Sequence, residues 1–322
     1  MQHCLLWVKY RMYKNCKLCP NLCQVDRRYK LGLCGQSDKV RIAWSGLHRG
    51  EEPPLTGEKG SGMIFFTGCP LHCEYCQNHQ ISGAHGSNMG FNITDEELAE
   101  LMLSLEKQGA TTLNLVTGTH FIPSIINALN IAKGKGFSLP VVWNSSGYEN
   151  VEALKLIDPY IDLYLMDMKT LDKSVAEKFC GRRKYIDSII PVMDFITKTH
   201  PYTDLDKIYG NIVRHLVFPQ SLKESIEVLR YYSKYYKNSC FLSLMVQFVP
   251  PLENPGFKKI SEEEYDFLLD TLDELGIEDG FVQEIGDEIL WIPDFNKDIP
   301  FPVSFADPNP YFLSLKRKNL NQ

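Results

Sequence analysis

Gly60-Ser-Gly-Met-Ile-Phe-Phe-Thr-Gly-Cys-Pro-Leu-His-Cys-Glu-Tyr-Cys-Gln-Asn-His-Gln-Ile-Ser82 joins an apolar run to three cysteines, Cys69, Cys73 and Cys76. The run over 62–67 predicts a buried strand, and the cysteines fall in the loop directly after it. Outward from this stretch, further strand patterns lie at 112–117, 139–143, 161–167, 212–218 and 241–248. Helical patterns alternate with them near 94–108, 122–134, 148–157, 184–199 and 222–236, and another near 261–275 follows the last strand. Such alternation is the signature of βα units on a parallel sheet, and six strands predict an incomplete α/β barrel over 61–280. A loop after a barrel strand lies at the C-terminal face, where barrel enzymes place their chemistry. Residues 1–60 form a cysteine-rich extension ending in Gly50-Glu-Glu-Pro-Pro-Leu-Thr-Gly57, and 281–322, rich in proline, reads as an irregular C-terminal strap.

The 322 residues are 44% hydrophobic and 23% charged, the balance of a folded globular chain. Lys and Arg total 34 against 40 Asp and Glu, a formal charge of −6, with no basic stripe interleaved with aromatics, so nucleic acid is not an expected partner. No segment approaches the ~20 apolar residues of a membrane span, and the opening Met-Gln-His-Cys-Leu-Leu-Trp-Val-Lys is too short for a signal-peptide core. The expectation is a cytoplasmic protein without membrane contact, whose ten cysteines serve as ligands or core residues rather than disulfides.

Structural zinc normally takes four protein ligands. No fourth cysteine lies near Cys69, Cys73 and Cys76, and His72 and His79 supply at best one more ligand. Three thiolates suit a [4Fe–4S] cluster with one iron left open, which implies chemistry rather than scaffolding. The leucine stripe Leu98, Leu101, Met102 and Leu105, after a Thr94…Glu97 capping box, is core packing.

Cys69-x3-Cys73-x2-Cys76, with Tyr75 before the last cysteine, resembles the radical S-adenosylmethionine (SAM) enzymes. The longer run from Gly60 to Ser82 is similar to a branch related to pyruvate formate-lyase activating enzymes. Further landmarks of the likeness are Glu51-Glu-Pro-Pro-Leu55, Thr119-His-Phe-Ile-Pro123, Ile212-Val-Arg-His-Leu216 and Trp291-Ile-Pro-Asp-Phe295. The resemblance implies a partial (β/α)6 TIM-like barrel in which SAM chelates the open iron, is cleaved reductively, and gives a 5′-deoxyadenosyl radical that abstracts hydrogen. It also implies an oxidoreductase acting on a protein glycine. A peptide or small metabolite is the alternative substrate, and a non-catalytic metal-binding or iron–sulfur delivery protein is a third reading.

Candidate cofactor residues lie at the strand ends. Thr117, Gly118 and Thr119 make the turn where related enzymes hold the SAM amino group, although the usual acidic residue is absent; helix capping is the alternative role for Thr119 and His120. Asn144, Ser145 and Ser146 offer donors and acceptors for a ribose or carboxylate, or simply cap a loop. Asp167 and Lys169 share one side of their strand end and read either as a cofactor pair or as a buried ion pair. Arg214 is the candidate for the SAM carboxylate, and since His215 alternates with it, one of the two must face away. Gln247-Phe-Val-Pro-Pro251 departs from the histidine found near this point in better-known activases. Cys180 and Cys240 are isolated in sequence and read as core or surface thiols.

A second group, Cys16, Cys19, Cys23 and Cys34, can close a tetrahedral site, so a structural zinc or a second iron–sulfur cluster both fit, beside the alternative of an unmetallated loop. Arg27, Arg28, Lys30 and Lys39 near it can dock an acidic flavodoxin- or ferredoxin-like electron donor, or form a solvated face.

Overall fold

Apolar strands that need cover on both faces and amphipathic helices that need a sheet to cover resolve into one layered α/β body. The computed structural model describes residues 9–83, 88–249, 259–286, 292–302 and 304–320, so Cys4, Trp291, Pro250 and Pro251 lie outside the described residues. The strands are β1 (Val40–His48), β2 (Ser61–Phe66), β3 (Phe91–Ile93), β4 (Leu113–Val116), β5 (Val141–Ser145), β6 (Leu163–Asp167), β7 (Gly210–Leu216), β8 (Phe241–Met245), β9 (Gly280–Val282) and β10 (Ala306–Pro308). They form one sheet in the order β10-β1-β2-β4-β5-β6-β7-β8-β9, with β3 on β1. From β2 to β9 each neighbouring pair is parallel, whereas β1 runs antiparallel to β2, β3 and β10. The ends of this path do not pair, so the barrel is open, as the six-strand rhythm predicts.

Outside the sheet lie α1 (Asp95–Gln108), α2 (Ile122–Gly134), α3 (Val151–Ile157), α4 (Lys173–Cys180), α5 (Ile186–Thr199), α6 (Leu222–Tyr235), α7 (Glu262–Glu274) and α8 (Pro310–Leu320). The expected capping box opens α1: Glu97 N donates to Thr94 Oγ1 at 3.1 Å and Thr94 N to Glu97 Oε2 at 3.0 Å. Its stripe of Leu98, Leu101, Met102 and Leu105 is fully buried.

Six of these elements were not expected, the short strands β3 and β9 among them. β1 lies within the cysteine-rich extension and joins it to the sheet beside β2. Helix α4 is only two turns long, capped by Asp172, whose Oδ1 accepts from Ser174 N and Val175 N at 2.7 and 2.9 Å, and ended by left-handed Gly181. The C-terminal strap contains β10 and α8 as regular elements.

The segment after β1 plugs the barrel's lower end. Leu55, on the single helical turn Pro53–Thr56, packs with Val142, Leu163, Leu165, Ile208 and Ile212. Those strand residues alternate with ones facing the outer helices, so the polar residues one layer above, Asn144, Asp167 and Arg214, share the barrel's inner face.

Candidate active site

The cysteine loop leaves β2 through Thr67 and Gly68. Gly68 has φ +86°, and a Cβ there would stand 2.6 Å from the carbonyl of Cys34, so both backbone conformation and space require glycine. Cys73 is buried while Cys69 and Cys76 are partly so. Burial, then repulsion from its two neighbours, pushes the Cys69 thiol up to about 12, and burial followed by Cys73 pushes Cys76 up to about 11. Cys73 is raised chiefly by a hydrogen bond with the Cys180 thiol, then by burial. Thiols that repel one another as anions are the donor set that iron displaces protons from. Amides of Leu71 and His72 hydrogen bond to Cys69, and that of Asn78 to Cys76. Such bonds support ligand sulfurs, and the three cysteines therefore fit a cluster. Among the described residues no three His, Cys, Asp or Glu side chains stand around a point that a single metal ion could fill, in either cysteine group.

Tyr75 points into an aromatic wall, its ring 4.9 Å from Phe218 and 5.5 Å from Phe248, with Phe179 stacked on Phe218 at 4.4 Å. Its hydroxyl is buried. Lys169 Nζ sits 5.5 Å from the centre of the Tyr75 ring and 2.7 Å from Asp167 Oδ2. Burial opposes the charge on Lys169, but Asp167 and the anionic forms of Tyr75 and Cys73 outweigh it and hold the ammonium well above its ordinary value. The lysine in turn favours the thiolate forms of Cys73 and Cys76. The arrangement is that of the ion-pair reading of Asp167 and Lys169, a paired cation beside the cysteine loop.

The other predicted residues divide. Thr119 Oγ1 and Trp143 Nε1 donate to Glu149 Oε1 at 2.8 and 3.2 Å, and the Ser145 hydroxyl donates to the same oxygen. Those hydroxyls are therefore committed behind the sheet, to a buried carboxylate that burial raises and these donors pull back. Thr117 holds a left-handed φ of +58°, and Gly118 leaves no room for a Cβ, which would lie 2.7 Å from Ile125. Asn144 faces the barrel interior, its amide 3.5 Å from Glu51 Oε2, and the carbonyl of Ser146 accepts from Tyr185 at 2.9 Å.

Arg214 does face inward, but its fork is taken: Nε donates to Glu52 Oε1 at 2.7 Å, and Nη2 to Glu52 Oε2 at 2.6 Å and Glu51 Oε2 at 2.7 Å. Burial would drive Glu52 up, yet Arg214 holds it below the usual carboxylate range. His215 faces away, buried, with Nδ1 2.8 Å from the carbonyl of Met168 and its pKa lowered to about 4 mainly by desolvation. Sequence reading noted Glu51 and Glu52 only as landmarks and missed their partnership with Arg214. Cys180, which looked isolated, lies against Cys73.

The four-cysteine group sits beside this face. Asn21 Nδ2 donates to the carbonyl of Pro70 at 2.7 Å, and Gln36 Nε2 to Asn88 Oδ1 at 2.7 Å. Burial raises Cys16 and Cys34, and Cys19 to about 12. Arg27 is fully buried and belongs to the interior, which corrects its reading as part of a docking face, whereas Lys30 and Lys39 are exposed.

The sequence pattern of the Radical SAM superfamily matches residues 63–254, more than half of the chain and spanning the cysteine loop and the strand ends. The chain belongs to the radical SAM superfamily. It is 26% identical over 188 residues to the pyruvate formate-lyase-activating enzyme of Clostridium pasteurianum, covering 55% of this chain and 69% of that protein. It is 28% identical over 255 residues to the uncharacterized protein MJ0674 of Methanocaldococcus jannaschii, covering 78% and 70%. A radical SAM methyltransferase from Sphaerobacter thermophilus shares the fold with a TM-score of 0.50 at 13% identity, covering 71% of this chain and 68% of that one. Membership implies a [4Fe–4S] cluster and SAM, for which Cys69, Cys73 and Cys76 are the residues present. No helix among the described residues is long and apolar enough to cross a membrane.

Proposed function

We propose that this radical SAM enzyme is of the glycyl-radical activase type, abstracting a hydrogen atom from a glycine of a protein partner. The observation that carries it is the paired Asp167 and Lys169 at the end of β6 beside the three-thiol loop, in a chain with partial similarity to a pyruvate formate-lyase-activating enzyme. When bound, the cluster and SAM supply one-electron cleavage of a sulfonium and removal of a hydrogen atom. The chain's own part is to hold and shield. Cys69, Cys73 and Cys76 would ligate the cluster, and Lys169 keeps positive charge next to their sulfurs without leaving a bare cation, because Asp167 is already on it. The wall of Tyr75, Phe179, Phe218 and Phe248 keeps water from that side of the loop. Below, Glu51 and Glu52 fix Arg214 upright in the barrel, and Asn144 shares their inner face.

Supporting proposals concern what surrounds the reaction. The electron donor is flavodoxin- or ferredoxin-like, the setting is cytoplasmic, and the four cysteines Cys16, Cys19, Cys23 and Cys34 hold a second metal. Gln247 favours a second reading of the substrate, a peptide or small metabolite: its Nε2 donates to the carbonyl of Glu284 at 2.7 Å while its Oε1 is buried without a partner among the described residues, near the point where many better-known activases carry a histidine.

Anaerobically reconstituted enzyme given SAM and dithionite is expected to form 5′-deoxyadenosine. A fully loaded cluster that yields none refutes radical chemistry. Electron paramagnetic resonance of a candidate glycyl-radical enzyme from the same cell should then show a glycyl doublet; deuterium transfer from a peptide or metabolite instead selects the second reading.

A further inference from the structure

One side chain joins the four-cysteine group to the turn at 117–120. Arg27 is 0% exposed, yet no carboxylate among the described residues pairs with it. Its Nε donates to the carbonyl of Gln36 at 3.2 Å, its Nη1 to that of His120 and its Nη2 to that of Ser37. Its charge reaches the Cys16 thiol, which burial raises and that charge lowers, and its guanidinium carbon lies 4.8 Å from the centre of the Tyr13 ring and 5.5 Å from that of Phe121. A guanidinium stays charged in any protein site. Carbonyl dipoles and ring faces replace only part of the water it has lost. The barrel's other buried cations, Lys169 and Arg214, each have a carboxylate on them. Neutral thiols cannot supply the missing charge, but four thiolates around a divalent metal carry a net charge of about −2.

We propose that Cys16, Cys19, Cys23 and Cys34 form an anionic tetrathiolate metal centre, and that Arg27 is both its counter-charge and the positioning residue through which it holds the 117–120 turn. The inference rests on the second-metal reading above and adds what that metal does. Two of the four sulfurs already flank one glycine. A Cβ on Gly32 would stand 3.3 Å from Cys34 Sγ and 3.6 Å from Cys23 Sγ, so no side chain fits between them. Leu22 and Gln24, at φ +41° and +53°, bend the chain back on either side of Cys23, and Cys16 N and Gln24 N close the bend through bonds to Val25 O at 3.1 Å and Cys16 O at 2.9 Å. From Arg27 the path to the catalytic loop is short. The residue whose carbonyl Arg27 holds, His120, places its Nε2 2.8 Å from the carbonyl of Thr67, two residues before Cys69. Asn21, inside the cysteine group, holds Pro70 on the other side of Cys69. A single divalent ion would have to draw the sulfurs together, since no three of them now surround one point, whereas an iron–sulfur cluster spans a wider set; the charge argument is the same for both.

The test starts from the full-length Cys69→Ala/Cys73→Ala/Cys76→Ala protein, purified without oxygen. It is expected to retain stoichiometric zinc, or iron with sulfide, and to lose it when Cys19→Ser/Cys23→Ser is added; elemental analysis says which metal. No retained metal overturns the proposal, while 5′-deoxyadenosine formation by the wild type would stand, so the two readings fail separately. In the otherwise native enzyme, Arg27→Gln is expected to release this metal to a chelator about ten-fold faster or more, and to need about ten-fold more SAM to perturb the resonance spectrum of the other cluster. Arg27→Lys, which keeps the charge, should recover part of both. Equal losses in the two variants, or no change in either, overturn the role of Arg27. If Arg27→Gln does not fold, hydrogen exchange of the triple-cysteine variant decides: chelator should lower protection of the amides at 118–121, and unchanged protection refutes the coupling.

Discussion

The two cysteine groups lie side by side, and both are short of one thing. At Cys69, Cys73 and Cys76 the missing element is a ligand, since three thiols leave a cluster open, whereas charge is balanced in advance: Lys169 arrives with Asp167 and Arg214 with Glu51 and Glu52. At Cys16, Cys19, Cys23 and Cys34 four thiols stand in place of three and the missing element is charge, because Arg27 is buried with no carboxylate paired to it among the described residues. A site whose cations are paired before any cofactor arrives can change its bound groups during a reaction without exposing a bare charge. On the proposal above, a site whose cation waits for a metal is built to keep it. The difference separates a reacting centre from a retaining one by electrostatics rather than by cysteine count.

The largest effect that can break this comparison is on the barrel's paired cation. Glu51→Gln/Glu52→Gln strips Arg214 of both hydrogen-bonded carboxylates and leaves Asp167 on the neighbouring strand as its remaining acid, and removing the partners of a buried ion typically costs about 3–5 kcal/mol. Urea unfolding should show a loss of that order, and adding Arg214→Met should return most of it. If the double variant is as stable as wild type, Arg214 is not balanced by those carboxylates, and the contrast with Arg27 disappears.

Next comes a pH effect from two buried histidines. Burial holds His215 at about 4, with Lys169 pushing the same way and Asp167 opposing, and holds His120 at about 3, with Arg27 and His72 pushing the same way. Both values are below the ordinary 6.5, so the fold favours the neutral ring. That stability is complete above the unfolded value and is lost as pH falls toward the folded one. At about pH 5 each ring should account for roughly 2 kcal/mol of lost stability relative to pH 7. Replacing His215 by Gln should remove one of these shares from the difference in urea midpoint between the two pH values; an unchanged difference refutes the assignment.

How much of this was legible in the chain depends on how local the cause is. The apolar run before Cys69 and the stripe of Leu98, Leu101, Met102 and Leu105 declare their elements, because period and burial coincide there. Helix α4 was not seen, since two turns give too short a period. Strand parity showed that either Arg214 or His215 faces inward, but choosing between them needs the register that aligns Asp167, Arg214 and Ser243. Glu51 and Glu52 sit in a stretch that reads as a turn, and their partner is more than 160 residues away. Arg27 stands in Asp26-Arg-Arg-Tyr29, where Arg28 does pair locally with Asp26. Nothing local says that its neighbour turns inward to His120.

The smallest predicted effect concerns Cys180, the fourth thiol of the catalytic side. Its thiol stands within hydrogen-bonding reach of that of Cys73 and is the largest influence on the Cys73 pKa, which it raises. Once iron takes the proton's place on Cys73, the bond survives only if Cys180 is the donor. A donor aimed at a ligand sulfur stabilises the more electron-rich, reduced state of the cluster. Cys180→Ala should therefore leave iron and sulfide content unchanged and lower the reduction potential. A hydrogen bond worth about 0.5–1.5 kcal/mol corresponds to roughly 20–60 mV for a one-electron step. Redox titration followed by resonance reads the shift directly. A potential that does not move would mean that Cys180 only fills space, and a variant that loses iron would mean that it is a ligand, which would erase the open position that distinguishes this centre from its neighbour.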